Sequence, residues 1–178
     1  MKLKKMIYIS TALTFLLCFI THFLYDWFPS PFTALFFPVN ESIWEHMKML
    51  YTTILLYGIL EYFIVWIKKI SIHNFLISLF LKAFLSIPIY LIIYLPIYFM
   101  IGEKMIVSIL LLVIVLWIVN FIGYKIESLR EIKYGNAVAT IFIILGFVLM
   151  GYFTYNPPRN FLFLDTEHEK YGIREYVL

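Results

Sequence analysis

The chain has 178 residues, 63% of them hydrophobic, 20% aromatic and only 14% charged. Soluble domains carry about 25% charged residues, so the composition excludes an ordinary water-soluble protein and places the chain in the membrane class. The net charge of +3 is small and its basic residues lie scattered at the ends of apolar runs, which excludes a nucleic-acid-binding face; one cysteine, Cys18, excludes an internal disulfide.

A hydrocarbon core about 30 Å thick takes about 20 apolar residues in a helix. The pattern predicts an all-α fold, a polytopic membrane helix bundle forming a single membrane domain over residues 1–178. Its five spans are expected at about 6–25, 49–67, 75–100, 105–124 and 137–155. Helices are required because lipid offers the backbone no hydrogen-bond partner, and the period-two alternation of a barrel is absent. The first apolar run is too long for a signal peptide and no small-residue cleavage site follows it, so it reads as an uncleaved span. It carries Thr11, Thr14, Cys18, Thr21, His22 and Tyr25 as one mildly polar stripe, which should face the bundle. His22 reads either as an interfacial residue beside Tyr25 and Trp27 or as a group turned toward protein.

Between the first two spans lies an outer loop, residues 26–48. Its first half, Phe28 to Val39, is apolar but broken by Pro29, Pro31 and Pro38, so it should lie in the interface or re-enter the membrane shielded by protein. Its second half reads as a helix start that continues into the second span. Asn40 or Ser42 can cap it, and Glu45 stands at the capping-box spacing from Ser42. On that helix Glu41, Glu45 and Lys48 would share one face. The acids can complement the helix dipole, or they can bind a ligand. The candidate ligand-binding set is His22, Tyr25, Asn40, Glu41, Trp44, Glu45, His46 and Lys48, with His22, Glu45 and His46 as candidate ligands of a divalent metal. No metalloprotease spacing is present.

Glu61 in the second span and Lys82 in the third should form an intramembrane pair, because an ion at mid-span costs at least about 2.5–3.5 kcal/mol. The pair reads either as a device that fixes helix register or as a proton or ion relay. The tail, residues 156–178, opens on Pro157-Pro158 and carries Asp165, Glu167, His168 and Glu169. It either folds back over the Glu45 region or stays solvated. Lys2, Lys4, Lys5, Lys68, Lys69, Lys125, Arg130 and Lys133 gather on one side of the five-span topology. That predicts a cell-membrane protein with a cytoplasmic N-terminus and an extracytoplasmic C-terminus.

The segment Pro38-Val-Asn-Glu-Ser-Ile-Trp-Glu-His-Met-Lys48, with His22 to Trp27, Glu61-Tyr62, Pro157-Pro158, Leu164-Asp165 and Tyr171-Gly172, resembles a family of small multi-spanning bacterial membrane proteins. The family is grouped as a domain of unknown function. The resemblance covers nearly the whole chain and implies no activity, cofactor or substrate. Lys82 lies outside its pattern, so the Glu61–Lys82 pair rests on spacing alone. Three functions follow as expectations. The first is binding or transport of a cation or small ligand at a polar extracytoplasmic site, in a bilayer and as a homo-oligomer given so few spans. The others are a membrane-embedded metal-assisted hydrolase and an accessory subunit of another membrane protein.

Overall fold

The computed structural model describes residues 3–69, 72–173 and 175–176. Five helices are long and apolar enough to cross a membrane: α1 (Leu3–Trp27), α3 (Ile43–Ile67), α4 (Phe75–Ile101), α5 (Met105–Glu127) and α6 (Gly135–Tyr155). The short α2 (Pro31–Phe36) and three two-residue strands in the tail complete the described elements. The chain is therefore an all-α, multi-pass membrane bundle. Its buried side chains include Thr14, Thr21, Thr53, Ser78 and Ser86, whereas α6 exposes Ile141, Ile144, Leu145 and Val148. Apolar outside and polar inside inverts a soluble protein, and it is what lipid as solvent demands.

Capping side chains set the starts of α2 and α3, whereas α4, α5 and α6 start without one. Ser30 and Thr33 cap α2 reciprocally: Thr33 N–H donates to Ser30 Oγ at 3.1 Å, and Ser30 N–H to Thr33 Oγ1 at 3.0 Å. Pro31, at the first helical position, has no donor to lose. This explains how a segment with three prolines still carries a helical turn. The helix start at α3 departs from expectation in two ways. Ser42 caps it through Glu45 N–H at 3.3 Å, but the Glu45 carboxylate does not close a capping box and instead accepts from Val39 N–H at 3.2 Å. The helix begins at Ile43, so Glu41 lies before it and shares no helix face with Glu45 and Lys48. At the far end α5 runs past Tyr124 to Glu127, bringing a carboxylate into its last turn that the expected span omitted.

In the bundle α4 packs against α3, α5 and α6, while α1 packs against α3 and α5 and α2 against α6. The core runs through Leu50, Tyr51 and Ile54 of α3, Ala83 of α4, and Val115, Leu116 and Val119 of α5. Lipid supplies no hydrophobic drive between helices, so close packing must hold them together. Gly123 shows how: a methyl group there would overlap the side chains of Lys82 and Ser78. Asn74 locks the loops at one end, donating from Nδ2 to Arg130 O at 3.0 Å and accepting from Ile132 N–H at 2.8 Å.

The other end, here the tail side, carries α2 and the tail. Strands β1 (Leu164–Asp165), β2 (Lys170–Tyr171) and β3 (Glu175–Tyr176) form an antiparallel sheet in chain order. The tail folds back onto the start of α3, the first of the two arrangements expected of it. Trp44 N–H donates to Leu162 O at 2.8 Å, Asn40 Nδ2 to Gly172 O at 2.9 Å, and Glu41 N–H to Asp165 Oδ2 at 3.2 Å. Gly172 has a φ of +54°, and a Cβ there would press on the Thr154 carbonyl, so two constraints require glycine.

Candidate functional site

Three polar centres sit in the bundle, and the residues singled out in the sequence divide among them. The first is on the tail side. His22 comes from the last turns of α1, His46 from the first turn of α3, and Glu41 from the loop ahead of it. Glu41 Oε2 lies 3.5 Å from His22 Nε2 and 3.4 Å from His46 Nε2, and the two ring nitrogens are 3.2 Å apart. His46 Nδ1–H donates to Ser42 O at 3.0 Å. A carbonyl only accepts, so this bond places a proton on Nδ1 and leaves Nε2 as the nitrogen that faces Glu41. Hydrogen bonds from His22 and then His46 hold the Glu41 carboxyl well below the usual carboxylate range.

Three ligands on one ion at tetrahedral angles, with bonds of about 2.05 Å, stand about 3.3 Å from one another. The separations of 3.2, 3.4 and 3.5 Å match that triangle. The set combines two imidazoles and a carboxylate, a donor set that suits zinc and related transition ions. All three residues line a cavity of about 420 Å³ between α1, α3, α4 and α5, so a fourth position would open onto it.

The expected ligand Glu45 is not part of this group. It belongs to the second centre, a buried clamp. Lys48 Nζ lies 2.5 Å from Glu45 Oε2 and donates to Ala34 O at 2.8 Å and Thr154 Oγ1 at 2.7 Å. Thr154 Oγ1 in turn donates to Glu45 Oε1 at 3.0 Å. Every Lys48 proton has an acceptor, and the clamp ties α2, α3 and α6 together. Helical spacing explains the correction: Glu45 and His46 are adjacent in sequence and project about 100° apart. The loop before the helix lets Glu41 reach His46 instead. The signal for Glu41 was present, since it stood in the same motif, but its placement depends on where the helix starts.

The remaining members of the ligand-binding set hold the frame. Asn40 bridges to the tail and accepts from Ser42 N–H at 2.9 Å. Trp44 stacks on Phe163 with centroids 4.8 Å apart. Tyr25 is half-buried on α1 and is not a cavity-lining residue.

The third centre lies at the opposite end. Lys82 Nζ is 2.8 Å from Glu61 Oε2 and 3.6 Å from Glu127 Oε1, and Ser78 Oγ donates to Glu127 Oε1 at 2.7 Å. Tyr124 donates to Glu61, and Ser10 bonds both Tyr124 and Tyr57. Glu61 and Lys82 thus meet as their spacing predicts, but inside a larger network. Glu127, Tyr124 and Ser10 went unnoticed because they come from helices whose register against α3 and α4 cannot be read from one chain.

No curated protein matches the chain, and no solved structure matches it. A family model does match, over residues 1–173, and on that match the chain belongs to a family of unknown function (DUF6512).

Proposed function

We propose that His22, Glu41 and His46 bind one divalent transition-metal ion of zinc type, and that the protein acts through this centre as a cation- or ligand-binding membrane protein. The observation that carries the reading is the triangle of donor atoms, whose edges fit tetrahedral coordination with one position left over. The second support is the Ser42 carbonyl behind His46, an outer-shell partner of the kind that orients ligating histidines. The excess of Lys and Arg at the other end of the bundle would place the centre on the extracytoplasmic face of a cell membrane.

The test is metal analysis of the detergent-purified protein beside His22→Ala, Glu41→Gln and Glu103→Gln. One ion per chain, lost in the first two variants and kept in the third, is the expected result. A folded protein that takes up no zinc, cobalt or manganese when supplied would overturn the reading.

Metal-assisted hydrolysis is a second reading, favoured by the same count of ligands. An ion held by three protein groups keeps a place for water or substrate. Glu103 and Glu167 line the cavity beside that place, where a carboxylate could serve as general base. Hydrolytic turnover abolished by Glu41→Gln would distinguish this from simple binding.

A further inference from the structure

The cavity beside His22, Glu41 and His46 is charged at one end only, with the hydroxyls of Tyr90, Tyr94 and Ser108 also on its wall. Its charged and histidine side chains are those three with Glu103 and Glu167, and all five sit on the tail side. Glu103 comes from the α4–α5 connection and Glu167 from the turn between β1 and β2, so both line the tail-side end. Below them the wall carries no charge. Cys18 and Leu50 lie one turn beneath His22 and His46, and Leu112 lies about 10 Å down α5 from Met105 at 1.5 Å per residue. The shape suits a ligand with a polar head and an apolar chain.

Two further features narrow the ligand. Phe19, Phe23 and Met105 line the cavity and are also 44%, 44% and 76% exposed, so they flank an opening onto the lipid-facing surface between α1 and α5. The hydrogen bonds that join these two helices, Asn120 to Thr11 and Ser10 to Tyr124, lie in the opposite half of the bundle. Among the described residues, neither Glu103 nor Glu167 lies within ion-pair distance of a lysine, arginine or histidine. Two exposed carboxylates that stand outside any such pair attract an ammonium group. The metal position attracts an oxygen donor.

We propose that the cavity binds a zwitterionic amphiphile from the bilayer. Its apolar chain enters between α1 and α5, its ammonium group lies between Glu103 and Glu167, and its phosphate or carbonyl oxygen lies at the His22–Glu41–His46 centre. The oxygen's placement rests on the metal reading above; the chain and the ammonium rest on the cavity and the two acids.

The experiment uses the full chain in a non-ionic maltoside detergent and follows lipid binding by native mass spectrometry. The probes are a single-chain phosphoethanolamine lipid and a phosphoglycerol lipid of the same chain length. The wild type should bind the ethanolamine lipid about tenfold more tightly, the size of effect expected from one amine meeting two acids near a surface. The Glu103→Gln/Glu167→Gln protein should bind both lipids alike, and Leu112→Trp, which fills the chain site, should bind neither. Metal content is measured in each preparation. Equal binding of the two lipids by a metal-loaded wild type would overturn the proposal while leaving the metal site intact. Undiminished binding to a metal-loaded Leu112→Trp protein would do the same. Absence of metal with the amine preference retained would instead overturn the metal reading and, with it, the placement of the oxygen. Should Leu112→Trp fail to fold, the double glutamine variant decides alone, because its substitutions lie outside the helices.

Discussion

Glu41 and Glu45 stand four residues apart in one motif and end in opposite circumstances. Glu45 is buried, faces a lysine at 2.5 Å and accepts from Thr154 and Val39, so both of its oxygens are committed to the fold. The Glu41 side chain is about a third exposed and shares one oxygen between two imidazoles at the edge of a cavity. A carboxylate saturated by permanent donors holds helices in place, whereas one shared by two imidazoles, which can give up a proton and offer a lone pair instead, can gather a cation. The type of residue did not decide the role; the number of protons pointed at it did.

The comparison breaks most sharply at Lys48. Lys48→Met leaves the Glu45 carboxylate buried without its cation, which should cost about 3–5 kcal/mol in thermal unfolding in detergent. The double change with Glu45→Gln should recover part of that loss. If Lys48→Met unfolds like the wild type, the clamp is not what holds α2 and α6 to α3. Glu61→Gln should cost less, about 1–3 kcal/mol, because Glu127 remains within 3.6 Å of Lys82 as a second partner. Here too the double variant, Glu61→Gln with Lys82→Met, should be the milder one, and a double variant worse than the single would mean the charges are not coupled. Glu41→Gln should lower the unfolding temperature of the metal-free protein by less than Lys48→Met does, because the contacts of a partly exposed carboxylate are screened by solvent, while abolishing metal uptake. A large loss of stability instead would make Glu41 a second Glu45.

Much of this was legible in the sequence, for physical reasons that differ by level. The five helices were readable because lipid permits only one way of satisfying a long apolar segment, and five helices of that length and apolarity are present. The Glu61–Lys82 contact was readable because an ion in that setting needs a partner and short connections leave few candidates. The composition of the tail-side centre was only half readable. His22 and His46 lie 3.2 Å apart, and the carboxylate that meets both is Glu41 rather than the Glu45 that the motif suggests as the metal ligand. Periodicity assumes a helix, and Glu41 lies just before one, in a loop whose path is set by Asn40, Ser42 and the tail carboxylate of Asp165. Glu127 and Tyr124 were out of reach for a related reason. Which face of α5 meets Lys82 depends on Gly123 admitting the lysine side chain, and a glycine in an apolar run does not announce its neighbour.

The smallest effect, and the one that best separates the two carboxylates, concerns pH. Glu41 is held below the ordinary carboxylate range by its two histidine partners. A depressed carboxylate contributes stability that is fully present above its unfolded value of about 4.3 and lost only as pH falls through the lower folded value. Glu41 therefore stays ionised throughout a titration from about pH 8 to about pH 5 and should not itself change stability there. Metal binding behaves differently, because imidazole must lose its proton to ligate and acid returns it. The ion should accordingly leave during the same titration, as read by metal analysis after buffer exchange. Metal retained at the acid end would mean that the histidines are not its ligands.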